Sequence, residues 1–244
     1  MKIGLLETYI EDKGQGEVVL FLHGWASDNS DFAGTAKFLE KNMRTVNLDL
    51  WGFGKSQEPP SNWSSDDYVQ AVFKLVTKLK LQNINLVGHS FGGKVAMKFC
   101  VKYPFLCKSL ILVDTAGLQK KLSFFQKKRV KRYKKLKILV ENGKKDQKVL
   151  EQFGSEDYKN SSQNMRQIMV RVVNENCKED FKKVEVPTLI VWGRQDKTTQ
   201  LKMGIEINKL INNSKFVIFN GGHFCHIENF AQFNKQCLNF WEEI

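Results

Sequence analysis

Hydrophobic positions along this chain follow two rhythms. Short apolar runs recur at Val18–Leu22, 45–48, 84–87, 110–113, 188–192 and 216–219. They are β-branched or aliphatic almost throughout, as strands covered on both faces are. Longer stretches between them carry apolar residues at helical spacing, which predicts helices over about 31–42, 66–81, 91–103, 199–211 and 229–243. This alternation implies βα units, so the expected fold class is α/β, with a mostly parallel sheet flanked by helices. Residues 3–10 are expected to add an antiparallel edge strand.

The rhythm breaks once. From 118 to 183 no strand pattern appears, only helical patterns rich in charge. Leu122, Phe125, Val130, Tyr133, Leu136 and Val140 recur at roughly helical spacing, which predicts a buried face that also takes in Phe124. Met165, Ile168, Met169, Val172 and Val173 repeat the pattern further on. The stretch lies between two strands and no Pro/Gly-rich linker sets it apart. The expected organisation is a core of 1–117 and 184–244 with a helical cap inserted at 118–183.

Composition narrows the class. A chain of 244 residues with 42% hydrophobic and 26% charged residues suits one domain with a buried core. No apolar run reaches the roughly 20 residues that span a bilayer. The first 16 residues place acids straight after a short apolar patch, unlike a cleavable signal, so a soluble, non-exported protein is expected. Five scattered cysteines, Cys100, Cys107, Cys177, Cys225 and Cys237, lack the spacing of a disulfide framework or a zinc site. They suit reduced thiols in a cytoplasm.

The net charge is +12, and 118–150 holds 13 Lys/Arg against Glu141 and Asp146. Nearly all the excess therefore sits on the insertion. The plain reading is a solvated lysine-rich helix face. The functional readings are selection of an anionic substrate or contact with an anionic membrane surface. Nucleic acid is not the expected partner, since no binding motif accompanies the charge.

The sharpest chemical signal is Gly88-His89-Ser90-Phe91-Gly92, followed by Gly93, between the strand 84–87 and a helix beginning near Phe91. That is the setting of a G-x-S-x-G nucleophile elbow, in which small residues allow a sharp turn and the serine projects from the strand end. The helix dipole and the Phe91 N–H favour negative charge developing beside Ser90. A serine hydroxyl needs a base, and the base an orienting acid. Of the four histidines, His223 in Asn220-Gly-Gly-His-Phe224 follows the last strand and is the expected base. His226, three residues on, is the reserve. His89 lies inside the elbow and His23 follows an early strand. Asp196, in Trp192-Gly-Arg-Gln-Asp-Lys197, is the expected acid, because its Gly and polar spacing suit an exposed carboxylate at a strand end. Asp114, after the strand 110–113, is the alternative.

These motifs together resemble the α/β-hydrolase superfamily, over about 17–117 and 184–244. Leu22-His23-Gly24-Trp25 resembles its oxyanion loop, and Asp49-Leu-Trp-Gly52-Phe-Gly54-Lys-Ser56 its D-x-x-G-x-G-x-S turn, where Asp49 is structural. The resemblance implies a Ser90–His223–Asp196 triad, an oxyanion hole from the N–H groups of Trp25 and Phe91, and no metal or organic cofactor. It implies hydrolysis of a carboxylic ester of a small or medium-sized, anionic or neutral substrate. Carbon–carbon hydrolysis of meta-cleavage products is second, since that branch often has Asn where this chain has His89. A slow-turnover ligand receptor is the non-enzymatic alternative. Candidate pocket walls are His23, Phe53, His89, Phe124, Phe125 and Met165, beside Trp25 and Phe91.

Overall fold

The apolar runs form strands whose side chains alternate between two cores. The computed structural model describes residues 1–119, 124–150 and 152–244. A hairpin of β1 (Lys2–Ile3) and β2 (Leu6–Glu7) precedes the main sheet. That sheet contains β3 (Ile10–Lys13), β4 (Val18–Leu22), β5 (Arg44–Leu48), β6 (Ile84–His89), β7 (Cys107–Val113), β8 (Thr188–Gly193) and β9 (Ser214–Phe219). Their order is β3-β5-β4-β6-β7-β8-β9, and all neighbours are parallel except β3 against β5. The edge strand expected at 3–10 is thus displaced. Gly4, at φ +61°, turns the chain into the small hairpin, and Ile10 opposite Leu48 begins the antiparallel edge.

Helices α1 (Ser30–Leu39), α2 (Ser65–Lys78) and α3 (Ser90–Lys102) follow β4, β5 and β6. Between β7 and β8 the described residues form α4 (Phe124–Glu141), α5 (Glu156–Asn160), α6 (Gln163–Asn174) and α7 (Lys178–Phe181), with no strand among them. Helix α8 (Leu201–Leu210) follows β8, and α9 (Cys225–Glu228) and α10 (Phe230–Glu242) follow β9. No helix among the described residues is long and apolar enough to cross a membrane.

The period-2 geometry of strands sorts the core. Leu20 and Leu22 of β4, Leu86 of β6, Leu112 of β7 and Ile190 of β8 pack with Val72 of α2, Val95 of α3 and Ile207 of α8. Their neighbours Val19, Phe21, Val87, Ile111 and Val191 face the other way, onto Phe32 of α1 and Phe233 of α10. Each such side chain, fully buried, contributes about 1.5–3 kcal/mol. The start of α2 is fixed by a capping box, in which the Ser64 N–H donates to Asp67 at 2.7 Å.

Helix α4 departs from expectation. Phe124 and Phe125 are 65% and 80% exposed, and Val130 and Ile138 are also exposed. Among the described side chains of α4 only Tyr133, Leu136, Leu139 and Val140 are half-buried, so α4 lacks the continuous buried face its spacing suggested. Leu122 lies outside the described residues. The second pattern held in part: Met165, Ile168 and Val172 of α6 are buried on the α2–α3 side of the core, Met169 is half-buried and Val173 is exposed.

Candidate active site

The sheet brings the catalytic candidates together at the C-terminal ends of β6, β8 and β9. Ser90 follows β6 and begins α3 with φ +50°, the left-handed region that costs a non-glycine residue about 1–2 kcal/mol. The turn closes because two glycines give it room. A Cβ on Gly92 would stand 2.1 Å from the Leu22 carbonyl oxygen, and one on Gly88 2.6 Å from the Gly92 carbonyl oxygen. The Ala116 N–H holds the Ser90 carbonyl at 2.9 Å.

His223 comes from the loop after β9. Its Nε2 lies 3.0 Å from Ser90 Oγ and its Nδ1 lies 2.8 Å from Asp196 Oδ2. With Nδ1–H donating to the carboxylate, Nε2 presents its lone pair to the serine hydroxyl. Asp196 is buried, not exposed as its loop composition suggested. Burial alone would raise its pKa. Hydrogen bonds from His223 and Thr199 and the Thr198 N–H outweigh this and hold it below the ordinary carboxylate value. The Thr198 and Thr199 N–H groups reach Oδ1 at 2.6 and 3.0 Å, and the Thr199 hydroxyl lies 2.6 Å from Oδ2.

Asp114, the alternative acid, faces elsewhere. Its Oδ1 accepts the Gly193 N–H at 2.7 Å, and burial pushes its pKa up to about 7. It braces β8 at the acid loop and makes no hydrogen bond to His223 among the described residues. His226, the reserve base, is buried between Phe32, Phe233 and His89 and makes no hydrogen bond to Ser90 among the described residues. Burial drives its pKa well down.

The loop after β4 lies against Ser90. A Cβ on Gly24 would meet Ser90 Cβ at 3.4 Å, and the Trp25 and Phe91 rings meet edge-on at 5.3 Å. The Phe91 N–H lies in the first turn of α3, where N–H groups have no intrahelical acceptor. Asp49 accepts the Asn29 and Lys55 N–H groups, both at 2.7 Å, which ties its turn to the loop before α1.

A cavity of about 500 Å³ opens on Ser90 and includes Trp25, Phe91, Lys94, Tyr158 and Met203 in its wall. The other pocket candidates are corrected by the packing. His23 is fully buried, its Nε2 accepting the Leu50 N–H at 2.8 Å and its Nδ1–H donating to the Gly24 carbonyl oxygen at 2.7 Å. It clamps the loop after β4 to the segment just past β5. His89 donates through Nε2 to the His223 carbonyl oxygen at 2.7 Å and so anchors the base loop. Phe53 and Met165 line a separate cavity beside Gly52, and Phe124 and Phe125 lie exposed on α4.

Two residues of the site had no motif to announce them. Thr199 stands three residues after Asp196, a spacing from which a side chain can close back on a carboxylate. Lys94 is buried in α3 and donates to the Val172 carbonyl at the end of α6, with Glu175 at 3.4 Å. A cation there faces the negative end of the α6 dipole.

The sequence description for the alpha/beta hydrolase fold matches residues 17–139 and 117–230. The chain belongs to the α/β-hydrolase family. It is 26% identical over 257 residues to the AB hydrolase superfamily protein YisY of Bacillus subtilis, covering 95% of this chain and 94% of the relative. It is 28% identical over 264 residues to the 2-hydroxy-6-oxononadienedioate/2-hydroxy-6-oxononatrienedioate hydrolase of Escherichia coli, with 96% and 91% covered. The enol-lactonase of Burkholderia xenovorans shares the fold at a TM-score of 0.78 and 18% identity, with 98% of each chain covered. A hydrolase is therefore the expected chemistry of the Ser90 cleft.

Proposed function

We propose that this α/β-hydrolase cleaves carboxylic esters through Ser90, His223 and Asp196. The observation that carries the reading is the continuous hydrogen-bonded chain from Ser90 Oγ through both ring nitrogens of His223 to Asp196 Oδ2. Ser90 Oγ attacks the carbonyl carbon while His223 Nε2 takes its proton. Asp196 holds the imidazole tautomer and stabilises the imidazolium. The N–H groups of Trp25 and Phe91 hold the tetrahedral oxyanion, each contributing about 3 kcal/mol to the lowered barrier. Collapse breaks the ester bond, and the leaving alcohol takes the proton from His223. Water then gives a proton to His223 and attacks the acyl-serine, releasing the acid and restoring the Ser90 hydroxyl.

The second reading is carbon–carbon hydrolysis, supported by the full-length similarity to the Escherichia coli enzyme. His89 counts against it. A panel of p-nitrophenyl esters separates the two, with Ser90→Ala and His223→Ala as controls. Turnover above roughly 1 per second that both substitutions abolish supports the esterase. Absence of ester turnover, with cleavage of a meta-cleavage product, replaces it by the second reading. Activity surviving in Ser90→Ala removes both.

A further inference from the structure

Helix α4 turns one side outward that no described residue covers. At about 3.6 residues per turn, Phe124, Lys127, Lys131, Lys134 and Ile138 share that side. All five are exposed, Phe124 by 65% and Ile138 by 56%. The half-buried Tyr133, Leu136 and Val140 lie on the opposite side. Phe125 stands beside Phe124 at the start of the helix, with the two rings edge-on at 6.0 Å. From Phe124 to Ile138 the row is about 20 Å long. Its charge is uncompensated. Lys127, Lys131 and Lys134 form no ion pair among the described residues, and Glu141, the only acid of α4, lies 3.7 Å from Lys137 instead. Lys128 adds a further cation over the Phe124 ring at 4.6 Å. A single exposed apolar side chain is ordinary, but here three flank a row of like charges.

We propose that this face docks the protein on an anionic phospholipid bilayer. The lysines sit among the headgroups, and Phe124, Phe125 and Ile138 reach the acyl boundary beneath them. Charge complementarity selects the occupant, since each lysine held near an anionic bilayer strengthens binding about fivefold. A bilayer also offers an apolar layer just below its charges, which the rings at the head of the lysine row can enter. A nucleic acid fits less well. Arginine is the side chain that grips a phosphate with two parallel bonds. Arg129 is instead turned to the Gln152 carbonyl oxygen and the Phe153 ring, and the cations of the outward row are all lysines. The contact is peripheral, as no described helix is long and apolar enough to cross the bilayer. Docking of this kind is independent of what Ser90 hydrolyses.

The test is sedimentation of the full chain with vesicles of phosphatidylcholine, alone or with one-third phosphatidylserine. The partition coefficient is expected to be at least tenfold higher with phosphatidylserine, and to fall as salt rises. Lys127→Gln, Lys131→Gln and Lys134→Gln together should lower it at least twentyfold. Phe124→Ser with Phe125→Ser should lower it at least fivefold. Three exposed lysines of α8 and α10 serve as the control, and Lys202→Gln, Lys209→Gln and Lys235→Gln together should lower it less than threefold. An equal loss in the control would assign the binding to net charge and overturn the docking face. Phenylalanine variants that bind as before, or no preference for phosphatidylserine, would overturn it too. Tighter binding to an oligonucleotide than to the vesicles, lost in the α4 lysine variant, replaces the bilayer with nucleic acid.

Discussion

Helices α3 and α4 stand at opposite extremes of the same molecule. Of the 13 residues of α3, ten are buried, from Ser90 to Cys100. In the 18 residues of α4 no described side chain is buried, and eight are Lys or Arg. Helix α3 is held by the sheet beneath it. Helix α4 relies more on the intrinsic preference of Lys, Arg and Leu for helix, and its described tertiary contacts include Tyr133 against Phe153 and Arg129 with the Gln152 carbonyl oxygen and the Phe153 ring. Ser90 therefore sits on rigid scaffold, while α4 is a largely exposed helix.

The sharpest way to break this contrast is to disturb the rigid side. Gly92→Ala places a methyl group 2.1 Å from the Leu22 carbonyl oxygen and 2.4 Å from that of His23, and this backbone leaves it no room. Chemical denaturation should show a loss of about 3 kcal/mol or more, together with lost activity. A loss below 1 kcal/mol would mean that the elbow is less tightly packed than α3 implies.

Next in size is Thr199→Val, which removes a hydroxyl bond to the buried Asp196 carboxylate and nearly preserves shape. Hydrogen bonds to charged groups contribute about 1.5–3 kcal/mol, so kcat/KM on an ester should fall about ten- to hundredfold. Unchanged kinetics would show that the two loop N–H groups suffice to hold Asp196.

Asp114→Asn sharpens the comparison through pH. The Asp114 pKa rises from 3.8 to about 7 on burial, so the folded protein keeps a proton that the unfolded chain releases across that window. Stability therefore falls as pH rises through it. Asparagine keeps an acceptor for the Gly193 N–H and has no proton to lose. The variant should gain about 4 kcal/mol over the unaltered protein between pH 4 and pH 8, measured by denaturation at both. Parallel pH dependence in the two proteins would contradict the assignment.

The smallest effect is expected on α4. Phe125→Ser touches an exposed side chain, so stability should stay within about 0.5 kcal/mol. A larger change would show that α4 makes contacts that its exposure denies.

The same contrast explains what could be read from the chain in advance. Strand positions, helix positions and the Ser90–His223–Asp196 arrangement were legible because they rest on local rules. A glycine turn after an apolar run and a polar loop after a strand each carry a steric reason. The pocket was not legible, since Phe124 and Phe125 fit a helical period without any partner to pack against. Periodicity reports which side chains share a face, not whether another element covers it. The roles of His23 and His89 also escaped, because both are set by carbonyl and N–H groups distant in sequence. The exposure expected for Asp196 failed for a related reason: Thr198, Thr199 and His223 satisfy its oxygens and so permit its burial.

The central claim is that His223 and Asp196 make Ser90 a nucleophile, and a fluorophosphonate probe tests it without choosing a substrate. Intact-mass and peptide analysis should find one adduct per chain, on Ser90, absent in Ser90→Ala. His223→Ala and Asp196→Asn should slow its formation at least a hundredfold. Labelling of another residue, or an unchanged rate in His223→Ala, would contradict the account.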